Sequence, residues 1–148
     1  MNFNKTTEYA FRILSYMAMN ESRLCSVDEI FNKLRIPYSY LRKLMTNLTK
    51  SNLIDSIQGK NGGYKISRKL EDIKLLDIIT IVDPEYLSVK CFFGFENCVL
   101  QPTCAMHDQW MNVRTNINTI LANTSLANIK QSNNQNPILS NTIYSLKT

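Results

Sequence analysis

Three of the chain's four glycines, Gly59, Gly62 and Gly63, fall within five residues, between two short apolar patterns. Leu53-Ile54-Asp55-Ser56-Ile57 and Tyr64-Lys65-Ile66-Ser67 read as strands, and Gln58-Gly59-Lys60-Asn61-Gly62-Gly63 joins them. A link this glycine-rich predicts a tight antiparallel hairpin whose backbone can approach a partner closely. Two elements precede it.

Those elements are two short helices. Ser26 with Glu29 three residues on reads as an N-cap and capping box. Val27, Ile30, Phe31 and Leu34 then form the apolar face of the first helix. Arg35-Ile36-Pro37-Tyr38 is a turn, because Pro37 opposes a continuous helix. Ser39 is expected to cap the second helix, which runs to about Ser51. Its Leu41, Leu44, Met45 and Leu48 follow i, i+3, i+4, i+7. Two short helices and a tight turn make a helix-turn-helix, whose second helix enters the DNA major groove. The hairpin that follows is its wing. A preceding helix spans about Asn4 to Met19, with Tyr9, Ala10, Ile13, Leu14, Met17 and Ala18 on one stripe.

Charge supports this reading. Net charge is +5, but Lys33 to Lys69 holds nine bases against the single acid Asp55, a net +8. The remainder, with eight bases and eleven acids, sums to −3. A basic module on a mildly acidic body is the footprint of nucleic-acid binding; the bland alternative is a solvated basic face. Arg42, Lys43, Thr46 and Asn47 are types that read base edges: Arg and Lys reach guanine acceptors, and Asn pairs with adenine. Ser39, Tyr40 and Lys50 share their helix, and Lys60, Asn61 and Gly62 form the wing tip that would meet phosphates or the minor groove.

Leu70 to Val82 reads as another helix, stopped by Asp83-Pro84. A long helix is expected from Thr103 or Cys104. Its Met106, Trp110, Val113, Ile117, Ile120 and Leu121 form a coiled-coil-like seam, suited to a second copy or to the chain's own first helix. Ser125 to Ile129 reads as a short last helix, and from about Gln131 the chain is Asn- and Gln-rich, acid-free and expected to be a flexible tail. The fold class expected is mainly α with a small β-wing: a winged helix-turn-helix domain plus a long dimerisation helix. The boundaries expected are a DNA-binding domain over 1–83, a cysteine-rich loop over 84–107, the dimerisation and short C-terminal helices over 104–130, and a polar tail over 131–148.

Three of the four cysteines and the only histidine crowd that loop: Cys91, Cys98, Cys104 and His107. So many soft ligands in one stretch point to a metal or redox centre. No apolar run approaches a membrane span, and the N-terminus lacks the apolar core of a secretory signal. A cytoplasmic location is therefore expected, where cysteines favour metal binding or thiol chemistry over structural disulfides. Cys25, alone between two helices, reads as a small buried hydrophobe. One histidine and scattered acids supply no acid–base pair or nucleophilic constellation, and Gly59-x-x-Gly62-Gly63 leads into a strand, not a helix. An enzyme is not expected.

Taken in order, Thr7-Glu8-Tyr9-Ala10, Tyr38-Ser39-Tyr40-Leu41, Gly59-Lys60-Asn61-Gly62-Gly63-Tyr64 and the three loop cysteines resemble the IscR/NsrR-type winged-helix regulators, the Rrf2 family. The resemblance covers roughly Met1 to Lys130. It implies a homodimer joined by the long helix, near-palindromic operator DNA, and a transcription regulator that represses. It also implies an iron–sulfur cluster, absent from some members and easily lost in air. By the same resemblance Cys91, Cys98 and Cys104 match the cysteine triad. The fourth ligand is His107, with Glu8 as the alternative. Mixed Cys/His ligation favours a 2Fe–2S cluster, and 4Fe–4S is the other type. The signal would be nitric oxide, redox state or iron–sulfur supply. Alternatives are a zinc-dependent or cluster-free thiol regulator, or a small metal-binding redox or interaction protein.

Overall fold

A side-chain cap starts the first helix. Asn4 accepts from the Thr7 amide at 2.8 Å and so satisfies one of the free donors of α1 (Lys5–Met19). Its Ala10, Ile13, Leu14 and Met17 are buried, as their spacing predicts. The computed structural model describes residues 3–87, 91–95 and 103–135.

Ser26 caps α2 (Val27–Leu34) by accepting from the Glu29 amide at 3.1 Å. The capping box is only half made, because the Glu29 carboxylate turns instead to Arg23 and Tyr16. Arg35 ends α2 in the left-handed region (φ 54°), and α3 (Tyr38–Lys50) follows. Pro37 occupies its cap position, two residues before the expected Ser39, which lies inside the helix. Proline suits this place, since its fixed φ starts a helix and its missing N–H would have no partner there.

β1 (Ile54–Ile57) and β2 (Gly63–Ile66) pair antiparallel, with Ile54 opposite Ile66 and Ile57 opposite Gly63. Cys25 adds a third rung. Its amide donates to the Tyr64 carbonyl and its carbonyl accepts from the Tyr64 amide, both at 2.9 Å. The wing is thus anchored by backbone to the segment between α1 and α2, and the Cys25 side chain is buried at 1% exposure.

The expected helix from Leu70 is broken. A 3₁₀ turn covers Leu70–Asp72, and α4 spans Leu75–Val82. The intervening extended backbone has a partner that periodicity could not reveal. Leu75 N–H donates to the Thr124 carbonyl at 2.9 Å, and Leu126 N–H to the Ile73 carbonyl at 3.0 Å. This splice holds the junction between α5 (His107–Asn123) and α6 (Leu126–Gln135) to the start of α4. α5 starts at His107, later than expected, and α6 runs to Gln135, into the Asn-rich stretch. Ser125 and Asn128 cap α6 reciprocally, the Ser125 amide donating to Asn128 Oδ1 at 2.9 Å and the Asn128 amide to Ser125 Oγ at 3.3 Å.

α1 lies at the centre of these contacts, with α2, α4, α6 and β2 all packed on it. Asn4 also donates to Asp83 at 2.7 Å, and Lys130 pairs with Glu21 at 2.5 Å. Among the described residues no helix is long and apolar enough to cross a membrane.

Candidate nucleic-acid interface and cysteine loop

The underside of α3 fixes what its outer face presents. Leu41, Leu44, Met45 and Leu48 are buried, so Ser39, Arg42, Lys43, Thr46, Asn47 and Lys50 are left exposed. Arg42, Lys43 and Lys50 form no ion pair among the described residues, unlike Lys5 with Glu8, Arg23 with Glu29 and Lys130 with Glu21. Unpaired cations on an exposed helix keep their charge for an outside anion. Thr46 differs, because its hydroxyl donates to the Arg42 carbonyl at 3.0 Å.

Tyr40 is placed otherwise. It is half-buried, its ring meets Tyr9 edge-on at 5.6 Å, and its hydroxyl shares a hydrogen bond with Thr6. It ties α3 to the start of α1. Tyr38, beside it, fixes α3 to α2: its hydroxyl donates to Asp28 at 3.0 Å and its ring lies edge-on to Phe31. The Asp28 carboxylate that accepts this bond raises the Tyr38 pKa. Neither partnership has a sequence signal, since each joins residues in different helices.

The wing tip leaves Lys60 and Asn61 exposed. Gly59 has φ 117°, and a Cβ at Gly62 would stand 2.2 Å from the Ile57 carbonyl oxygen. Both positions therefore demand glycine. Arg68, one of the nine bases, is not free for DNA in the same way. Its guanidinium donates to the Asn52 carbonyl at 3.0 Å and the Ser51 carbonyl at 3.3 Å. There it complements the C-terminal end of α3 and holds the wing base to it.

In the loop, Cys91 and Cys104 are half-buried free thiols. Cys91 opens a tight turn, accepting from the Gly94 amide at 2.8 Å and donating to the Phe95 carbonyl at 3.2 Å. Cys104 lies in the turn before α5, outside the helix expected to start at Thr103 or Cys104; its carbonyl accepts from the His107 amide at 3.2 Å. Cys98 lies outside the described residues. Glu8, the alternative ligand, pairs with Lys5 at 3.0 Å. Among the described residues, no three His, Cys, Asp or Glu side chains gather closely enough to hold a metal. The donor types, thiols with one imidazole, nevertheless suit iron–sulfur ligation. Phe92 packs edge-on against Phe93 and Trp110, joining the loop to α5.

Comparison with known proteins places this geometry among regulators. Residues 3–132 match the Rrf2 family model, described as an iron-dependent transcriptional regulator. The HTH-type transcriptional regulator NsrR of Oceanobacillus iheyensis is 32% identical over 108 residues, 72% of this chain and 74% of that protein. Two solved structures share the fold. CymR (YrzC), the global cysteine regulator of B. subtilis, aligns with a TM-score of 0.74 at 20% identity, covering 89% of this chain and 98% of the other. T. potens IscR aligns at 0.71 and 23% identity, covering 89% and 88%.

Proposed function

Since this chain belongs to the Rrf2 family of transcriptional regulators, DNA-binding proteins and not enzymes, we propose that it is a dimeric repressor controlled by its cysteine loop. The outer face of α3 carries the reading: Arg42, Lys43 and Lys50 stand exposed and unpaired among the described residues, over a helix whose other side is core. Arg42, Lys43, Thr46 and Asn47 face base edges, with Ser39 and Tyr40 at the helix entry. Lys50, Lys60, Asn61 and the close-approaching Gly62 backbone meet phosphates.

The second copy is supported by α5. Only Leu121 of its 17 residues is buried, while Ile120 is 63% and Val113 48% exposed. An apolar stripe left in water on a long helix favours pairing with another copy. A dimer would set two α3 helices about 34 Å apart, one DNA turn, on a near-palindromic operator.

Cys91, Cys98 and Cys104 with His107, or Glu8 in its place, would hold an iron–sulfur cluster, 2Fe–2S in preference to 4Fe–4S. Bound there, the cluster would supply iron reactive towards nitric oxide and oxidants and sensitive to iron–sulfur supply. His107 is the first residue of α5, and α5 is tied back by Arg114, which donates to the Tyr86 carbonyl at 3.2 Å. A change of ligation at His107 therefore acts at the end of the dimer helix. That no three donor side chains gather among the described residues supports a second reading, a cluster-free thiol switch.

Oxygen-free purification with iron, sulfide and zinc analysis separates these readings. Matched iron and sulfide, lost in Cys98→Ala together with a change in operator affinity, is the expected result. A metal-free protein whose DNA binding responds to thiol oxidation would establish the second reading. Sequence choice tests the DNA face separately: Arg42→Ala should relax base preference, and unchanged preference would remove Arg42 from the reading helix.

A further inference from the structure

Beside the outer face of α3 runs a groove of about 490 Å³ that ends on the first turn of α1. Thr6, Tyr40, Lys43, Leu44, Thr46, Asn47 and Lys50 line it, and none of them is acidic. The hydroxyls of Thr6 and Tyr40 are bonded to each other. Each hydroxyl has one O–H, and their mutual bond uses only one of the two. Whichever donates, one O–H remains for a third group, in a groove bearing two unpaired ammonium groups. That combination selects an anion.

We propose that this groove seats a phosphate of the DNA backbone, with the Thr6–Tyr40 hydroxyl pair donating to it. The inference rests on the DNA-binding reading above and adds α1 to the interface. Lys43 and Lys50 lie two helical turns apart, about 10 Å along α3. A continuous strand passing through the groove also meets Lys50, the phosphate contact assigned above, whereas a free phosphate ion is held at one point. The packing of Tyr40 on Tyr9 fixes the pair relative to the reading helix.

The test uses the full chain with two duplexes, one selected by the wild type from a randomised pool and one scrambled. Thr6→Val/Tyr40→Phe removes both hydroxyls and keeps their shapes. Affinity should fall about fivefold to tenfold on both duplexes alike, with base preference unchanged. Tyr40→Phe alone should lose less, since Thr6 keeps a donor. Single neutral methylphosphonate links scanned through the selected duplex should identify one phosphate per half-site whose neutralisation weakens the wild type but not the double variant. Should the double variant melt below assay temperature, Tyr40→Phe, which retains the ring, carries the same scan, and neutralising that phosphate should weaken it less than it weakens the wild type. Wild-type affinity in the double variant, or a loss confined to the selected duplex, overturns the inference. A wild type that ignores duplex DNA even at low salt overturns the proposed function, and this contact with it.

Discussion

Glu29 shows how one side chain can be read twice. Its sequence position suggests a capping box, yet its carboxylate receives Arg23 at 2.5 and 2.9 Å and the Tyr16 hydroxyl. The Arg23 hydrogen bonds pull its pKa down to about 2. A folded value below the unfolded one, about 4.3, means stability that is present above the unfolded pKa and lost as pH falls towards the folded value. Glu29→Gln should therefore lower the melting temperature at neutral pH and flatten its acid dependence between about pH 5 and 2. Equally steep melting profiles for both proteins would refute this. Tyr16 runs the other way: burial first, and then Glu29, push it up to about 12, so its contribution holds below pH 10 and fades towards 12. At the wing, Gly62→Ala forces a Cβ against the Ile57 carbonyl, and strain of this kind costs roughly 1–3 kcal/mol. Weakened DNA binding with a small loss of melting temperature is expected, and an unaltered affinity would show that the tip does not touch DNA.

Among the elements, those with a one-sided apolar period were legible from sequence: α1, α2, α3 and the hairpin stand where periodicity and glycines place them. The misreadings share a cause. Leu70 to Val82 is apolar enough for one helix, but Ile73 and Leu75 pair with backbone about fifty residues on, and no local pattern encodes such a partner. The Tyr40–Thr6 and Tyr38–Asp28 bonds were hidden for the same reason. The chemistry of the cysteine loop was legible as donor types, but its geometry was not, because loop ligands carry no periodicity. The seam of α5 proves divided: Leu121 turns to the chain's own core, while Val113 and Ile120 remain outside. Ile120→Glu should then leave the fold intact and shift sedimentation towards a monomer, with operator binding weakened. A variant that sediments as the wild type does would move the interface off this face.

At the scale of the whole molecule, charge segregation dominates. Nine bases and one acid between Lys33 and Lys69 face a remainder that is net acidic. Binding through such a patch releases counterions, so log affinity should fall linearly with log salt, and Lys60→Ala should reduce the slope by about one without altering sequence preference. A shallow, unaltered slope would argue against phosphate contact at the wing. The dependence of α1 on late residues has a different consequence. Asn4 bonds Asp83, Glu21 pairs with Lys130, and Leu126 is fully buried in the same core. During synthesis α1 emerges well before α6, which covers it. A nascent chain stalled before α6 should expose the apolar flank of α1 to chaperones, and the fold becomes complete only once α6 has left the ribosome.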